Sequence, residues 1–207
     1  IDVSSAVNSD LLHLHLQFFF AVLALNFISI ILLTSVYKYM AYREYLGEMD
    51  DLTGVMGRRM FMQYCDTFQN VTKEKLSGTG WYLIADVDYF KNINDTFGHT
   101  AGDKVLKDVA VHLNNCFAEC GAVGRIGGDE FAAVIDKEIS QDEIESRLDE
   151  FLTGISDVLP EVHKVTCSIG VCRFEYPQDI SALLKKADEA LYKAKKNGRD
   201  CYVIEEF

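Results

Sequence analysis

Proline is almost absent, two residues in 207, which argues against a proline-rich linker and suits long uninterrupted helices. Positive charge is also scarce. Lysine and arginine number 20 against 32 aspartates and glutamates, for a formal net charge of −12. Duplex nucleic acid is therefore a poor partner, because neutralising its phosphates needs a surplus of Lys and Arg. A small anionic ligand stays open where a metal brings the positive charge. No CxxC pair occurs, so zinc is not indicated. The six cysteines (Cys65, Cys116, Cys120, Cys167, Cys172 and Cys201) are too few and too irregular for a disulfide scaffold, and read as reduced, largely buried thiols of a cytoplasmic domain. Wholesale disorder is excluded, since 49% hydrophobic and 25% charged residues match globular averages. No repeat or low-complexity tract is visible.

What is present begins with an apolar run. From Phe18 to Val36 the chain reads FFFAVLALNFISIILLTSV, without a charge and with only Asn26 strongly polar. At 1.5 Å per residue that is about the length needed to cross a bilayer. Tyr37, Tyr39, Tyr42 and Tyr45, interleaved with Lys38 and Arg43, have the composition of an interfacial belt on the positive, inner side. The opposite flank carries Asp2 and Asp10 and no Lys or Arg. The expectation is a tail over 1–17 outside, a membrane helix over 18–36, and a juxtamembrane signalling helix over 37–49. The domain over 50–207 then faces the cytoplasm from the inner membrane. A buried core helix rarely sustains such a length uncharged, and a signal peptide would need a basic start and a small-residue cleavage site. Tyr39, Tyr42, Leu46 and Met49 follow the alternating three-and-four rhythm of a short coiled coil.

Beyond Asp50 the pattern is globular. Leu52–Gln69 reads as a helix, broken at Ser77-Gly78-Thr79-Gly80, and Trp81–Val87 as a buried strand. Ala101–Phe117 is a helical stripe, and Ala122–Ile126 and Phe131–Ile135 are short strands around Gly127-Gly128-Asp129-Glu130. Then come a helix over Ser140–Val158, a strand over Val162–Phe174, a helix over Asp179–Lys196 and a strand over Cys201–Ile204. That order predicts an α+β fold: a mixed antiparallel sheet backed by helices around a ferredoxin-like βαββαβ core.

Three constellations carry chemistry. Asp86 and Asp88 leave one face of a strand end, a natural place for a hard cation, although taken alone the pattern reads first as Asp88 capping the next helix. The polar stretch Lys91-Asn92-Ile93-Asn94-Asp95-Thr96-Phe97-Gly98-His99, running on to Gly102-Asp103, reads locally as a loop between two helices. Its Asn and Asp have the donors and acceptors to read a guanine edge, and Lys91 can balance phosphate charge. Gly127-Gly128 at a hairpin tip is explained on its own by positive φ, yet missing side chains also let a triphosphate approach the backbone.

Taken together, DVDYFKNINDTFGHTAGD, RIGGDEF and ALYKAKKNGRD, with DDLTGVMGRR upstream, closely resemble the diguanylate cyclase family named for its GGDEF motif, over about Asp50 to Phe207. The resemblance implies a palm-type cyclase fold and a homodimer in which each GTP 3′-hydroxyl attacks the α-phosphate of the other, giving cyclic di-GMP and two pyrophosphates. It implies Mg²⁺, two ions per active site with Mn²⁺ as a substitute, ligated by Asp86, the Val87 carbonyl and Asp129. Asp129, with Glu130 beside it, matches the group that deprotonates the hydroxyl, and Lys91 the transition-state cation. Asn94, His99 and Asp103 match substrate-binding positions, Asn94 and Asp103 as guanine readers. Lys195 and Arg199 match phosphate-binding residues. Gly57 and Asp200 depart from the Asn that is usual at each position, which bears on nucleotide affinity rather than on the reaction. Ala118-Glu119-Cys120-Gly121 stands where many members carry an inhibitory Arg-x-x-Asp, so no product-inhibition site is expected. The competing readings are a catalytically silent GTP-binding relative, a ligand-free membrane dimerisation module, and an ATP cyclase.

Overall fold

The computed structural model describes residues 3–46, 49–72, 78–156, 164–175 and 179–207. The chain divides into two units, Ile1–Gly47 and Glu48–Phe207.

The first unit is one helix, α1 (Val3–Leu46). Its stretch His13–Met40, of mean hydropathy 2.4, is long and apolar enough to cross a membrane, and none of it is buried within the protein. Phe18, Leu25, Phe27 and Leu33 are all exposed, a continuous apolar surface that water does not favour. The polar side chains inside it bond back to their own helix, Asn26 Nδ2 to the Val22 carbonyl and Ser29 Oγ to the Leu25 carbonyl, both at 2.9 Å. Such back-bonds reduce the cost of a polar group in an apolar medium. The expected three-and-four rhythm does not reach Met49. That residue lies past the helix and forms an isolated antiparallel bridge with Met56. A turn follows at once: Asp50 Oδ1 accepts from the Thr53 amide at 2.9 Å and from Arg125 Nη1 at 3.0 Å.

The second unit holds β1 (Met56–Gly57), α2 (Arg58–Thr72), β2 (Thr79–Val87), α3 (Phe90–Phe97), α4 (His99–Phe117), β3 (Gly121–Arg125), β4 (Glu130–Ile135), α5 (Gln141–Ile155), β5 (Cys167–Glu175), α6 (Ile180–Lys196) and β6 (Cys201–Glu206). The sheet order is β1-β3-β4-β2-β5-β6. β2 runs antiparallel to both neighbours, while β1 pairs with β3 and β5 with β6 in parallel. The four inner strands with α4 and α5 form the anticipated βαββαβ core. Helices cover both faces. Trp81, Leu83, Ala85 and Val87 share one core with α4 and α5, and Tyr82 and Ile84 share the other with α2 and α6. A strand covered on both sides reads as a continuous apolar run rather than an alternation.

Local chemistry sets several boundaries. Ser140 caps α5 by accepting from the Glu143 amide at 3.2 Å, and Asp179 caps α6 by accepting from the Ser181 amide at 3.0 Å. Two expectations are corrected. The helix predicted from Leu52 starts at Arg58, because Gly54 (φ 73) turns the chain and Met56–Gly57 joins the sheet. The polar stretch after Tyr89 is the helix α3 and not a loop. Ile93 is buried there, and Phe90, Ile93 and Phe97 keep helical spacing that the surrounding Asn and Asp residues obscured. The expected limits at Val158 and Val162, and Ser77, lie outside the described residues. Every described cysteine is a free thiol, five of them buried.

Candidate active site

The end of β2 delivers Asp86 and Val87 to the rim of the sheet, and the turn between β3 and β4 brings Asp129 alongside. The Val87 amide donates to the Asp129 carbonyl at 3.2 Å. Asp86, Val87, Lys91, Asp129, Lys195 and Arg199 line one open cleft of about 350 Å³. These six residues come from β2, α3, the β3–β4 turn, α6 and the loop after it. The same cleft is lined by Tyr89, Phe90 and Asn92, which sequence reasoning did not single out.

The electrostatics explain the arrangement. Burial pushes the Asp86 carboxyl up. A hydrogen bond and the charge of Lys195 pull it back, Asp129 and Asp88 push it up again, and the balance lies above the ordinary value. Lys195 Nζ sits 2.8 Å from Asp86 Oδ2, so an ammonium already supplies positive charge where carboxylates crowd. Glu130 is raised by burial and then by Asp86, Asp129 and Asp188. It is the cross-strand partner of Asp86, which accounts for the repulsion. Its side chain turns away from the cleft. It packs against Gly127, where a Cβ would stand 2.5 Å from Glu130 Oε2, and lines a neighbouring groove with Arg58, Lys185 and Asp188. A side chain at Gly127 would displace the Glu130 carboxylate, and positive φ plays no part, since neither Gly127 nor Gly128 has one. A Cβ at Gly128 would meet nothing within 4 Å.

Asp88 does not cap a helix. It is 4% exposed and accepts from Ser168 Oγ at 2.7 Å, Thr166 Oγ1 at 2.8 Å and the Asp200 amide at 3.1 Å. The N-cap of α3 is instead Tyr89, which makes no side-chain cap bond. Tyr89, Arg199 and Asp200 have φ of 54, 66 and 50, the three positive-φ residues other than glycine among those described. Each costs on the order of 1 kcal/mol for an L-residue. Arg199 lies over the Tyr89 ring, 4.5 Å from its centroid.

The remaining candidates gather one helical turn away. Lys91 and Asn94 are three apart on α3 and share a face. Asn94 reaches the first turn of α4: a Cβ on Gly102 would stand 2.0 Å from Asn94 Oδ1 and 2.9 Å from its Cγ. Asp103 follows Gly102 and is exposed, as is His99 at the start of α4. Asn94, His99 and Asp103 therefore do not line the cleft but flank it along α3 and α4. Gly102 was quoted in the motif without a role, which only the packing supplies.

Among the described residues no cluster of three His, Cys, Asp or Glu could hold a metal on its own. Two carboxylates beside an open cleft, with one raised by burial and met by an ammonium, fit a hard divalent cation that shares its shell with substrate phosphates. They do not fit one in a closed protein cage.

Residues 47–201 match the family described as Diguanylate cyclase, GGDEF domain. The chain is 36% identical over 157 residues to Diguanylate cyclase DgcP of Pseudomonas aeruginosa, covering 73% of this chain and 23% of that protein. It is 39% identical over 158 residues to Probable diguanylate cyclase DgcI of Escherichia coli, covering 73% and 32%. The chain thus spans about a quarter to a third of the length of these relatives. The GGDEF domain of DgcB from Caulobacter crescentus, solved in complex with c-di-GMP, superposes with a TM-score of 0.69 at 26% identity, covering 76% of this chain and 93% of that one. With the motif, the fold and the family match in agreement over the same residues, this chain belongs to the GGDEF-domain diguanylate cyclase family.

Proposed function

We propose that the domain condenses two GTP molecules into cyclic di-GMP and two pyrophosphates. The observation that carries this reading is the convergence of Asp86, Val87, Asp129, Lys91, Lys195 and Arg199 on one cleft, with Asn94 and Asp103 flanking it. Phosphoryl transfer asks a protein mainly for positioning and charge neutralisation. Asn94 and Asp103 hold the guanine edge. Lys195 and Arg199 take the phosphates, and Lys91 stands where negative charge builds at the α-phosphate. Asp129 accepts the proton of the attacking 3′-hydroxyl; each attack forms one phosphodiester bond and releases one pyrophosphate. Glu130, facing the neighbouring groove, supports Asp129 through its charge and its packing on Gly127. Asp86, the Val87 carbonyl and Asp129 would hold Mg²⁺, two ions with nucleotide bound and Mn²⁺ as a substitute, which supplies Lewis-acid neutralisation of the phosphates.

One cleft holds one GTP, so two copies must face each other, and the active species is a homodimer. The stretch 18–36 of α1 crosses the inner membrane, leaving 1–17 outside and the domain over 50–207 in the cytoplasm, and the helix over 37–46 pairs weakly between copies. The test is the full chain in detergent with GTP and Mg²⁺, followed by chromatography for a cyclic dinucleotide. Product from GTP and none from ATP is expected. GTP binding without product would instead establish a silent relative.

A further inference from the structure

We propose that Asp88 is a positioning residue, whose buried carboxylate works with the Tyr89 ring to hold Arg199 ready for a nucleotide phosphate. The proposal rests on the GTP-binding part of the reading above. Asp88 sits two residues after Asp86 but does not line the cleft. Its oxygens are committed inward, to Ser168, Thr166 and the Asp200 amide. It is therefore placed to shape the site and not to touch substrate.

What it shapes is visible in the backbone. Left-handed residues other than glycine persist only where their surroundings over-determine them. The three among the described residues all adjoin this one carboxylate. Tyr89 is its neighbour in sequence, Asp200 donates its amide to it, and Arg199 lies between Asp200 and the Gly198 turn. Arg199 is then held from two sides, by the Tyr89 ring and by Asp88 Oδ1 at 3.8 Å from Nε. That distance is an ion pair and not a hydrogen bond. Among the described residues the Arg199 guanidinium makes no hydrogen bond to the protein, so its N–H donors are fixed in place yet free for phosphate oxygens. The second acid of the turn does not compete for it, because Asp200 pairs with Lys164.

Asp88→Asn keeps the shape and removes the charge. In the full chain it should weaken GTP binding, read both as the Kd by calorimetry and as KM, by about tenfold, the scale of one charge-assisted hydrogen bond. kcat should stay within about threefold, and competition by guanosine, which has no phosphate, should be unchanged. In an Arg199→Ala background the further loss from Asp88→Asn should fall below about twofold. Tyr89, being exposed, gives a second route if Asp88→Asn does not fold. Tyr89→Ala should bind GTP several-fold more weakly, with that loss again disappearing without Arg199. Wild-type affinity in Asp88→Asn and Tyr89→Ala, or losses that persist undiminished in Arg199→Ala, would overturn the proposal. A wild-type chain that binds GTP but makes no cyclic dinucleotide would sink the cyclase reading alone, because the Kd arm does not depend on turnover.

Discussion

Replacing Gly102 by alanine should injure guanine recognition while sparing the fold. An added Cβ would stand 2.0 Å from Asn94 Oδ1, 2.9 Å from Asn94 Cγ and 3.2 Å from Phe90 Cζ. Non-bonded heavy atoms prefer about 3.5 Å, so the Asn94 amide must swing by more than about 1 Å. A hydrogen bond tolerates only a few tenths of an ångström around its 2.7–3.2 Å optimum, so contact with a guanine edge is lost. Losing one such bond costs roughly 1–1.5 kcal/mol, or about tenfold in affinity. Stability moves less. Alanine gains up to about 1 kcal/mol over glycine in a helix, against an overpacking cost of about 1–3 kcal/mol that a movable side-chain tip reduces. Steady-state kinetics with GTP and ITP, beside thermal unfolding, would measure both effects. KM for GTP should rise about tenfold and discrimination against ITP should fall, with the melting midpoint shifted by no more than a few degrees. Asn94→Ala should have the same effect, and the double variant should lose little more. A Gly102→Ala protein with wild-type KM and discrimination would refute the placement of Asn94 as a guanine reader.

Asp129→Ala should abolish cyclic di-GMP synthesis with an unchanged circular dichroism spectrum, since in the proposed mechanism Asp129 is both a metal carboxylate and the proton acceptor; residual synthesis at a tenth of the wild-type rate would contradict that role. Burial raises the Asp50 carboxyl, but hydrogen bonds from Thr53 and Arg125 and the Arg125 charge outweigh it and leave it below the ordinary value. A depressed carboxylate stabilises the fold above its unfolded pKa of about 3.9, and that contribution disappears as pH falls through the lower folded value. Urea unfolding of Asp50→Asn should accordingly show a shallower loss of stability below about pH 4 than the wild type. Added cyclic di-GMP should not inhibit non-competitively, because Ala118-Glu119-Cys120-Gly121 offers no guanidinium to pair with guanine or phosphate; submicromolar inhibition of that type would show another site. Specific activity should rise with enzyme concentration, and fusing a strong parallel coiled coil ahead of Met49 should raise it further; a flat profile would argue against a dimeric active species.

Sequence by itself determined the sheet-forming segments other than β1, the α+β class and the long apolar helix, because apolar periodicity and cap residues such as Ser140 and Asp179 act over a few residues. It also named six of the nine residues that line the cleft, through motifs whose order along the chain is a family signature. It did not show α3, whose Asn and Asp residues look like turn chemistry until Ile93 is seen buried. Tyr89, whose ring lies beneath Arg199, carried no local signal at all. Only the tertiary structure decided that Asp88 turns inward while Asp86 faces the cleft, since the difference is made by Ser168 on β5 and Thr166 just before it, 80 and 78 residues away in sequence. It alone turned Glu130 onto Gly127 and Asn94 onto Gly102. The physical reason is common to all of these. Propensity and pattern are local and short in range, whereas the direction of a carboxylate is set by donors and charges from distant strands and helices, which meet only when the sheet closes.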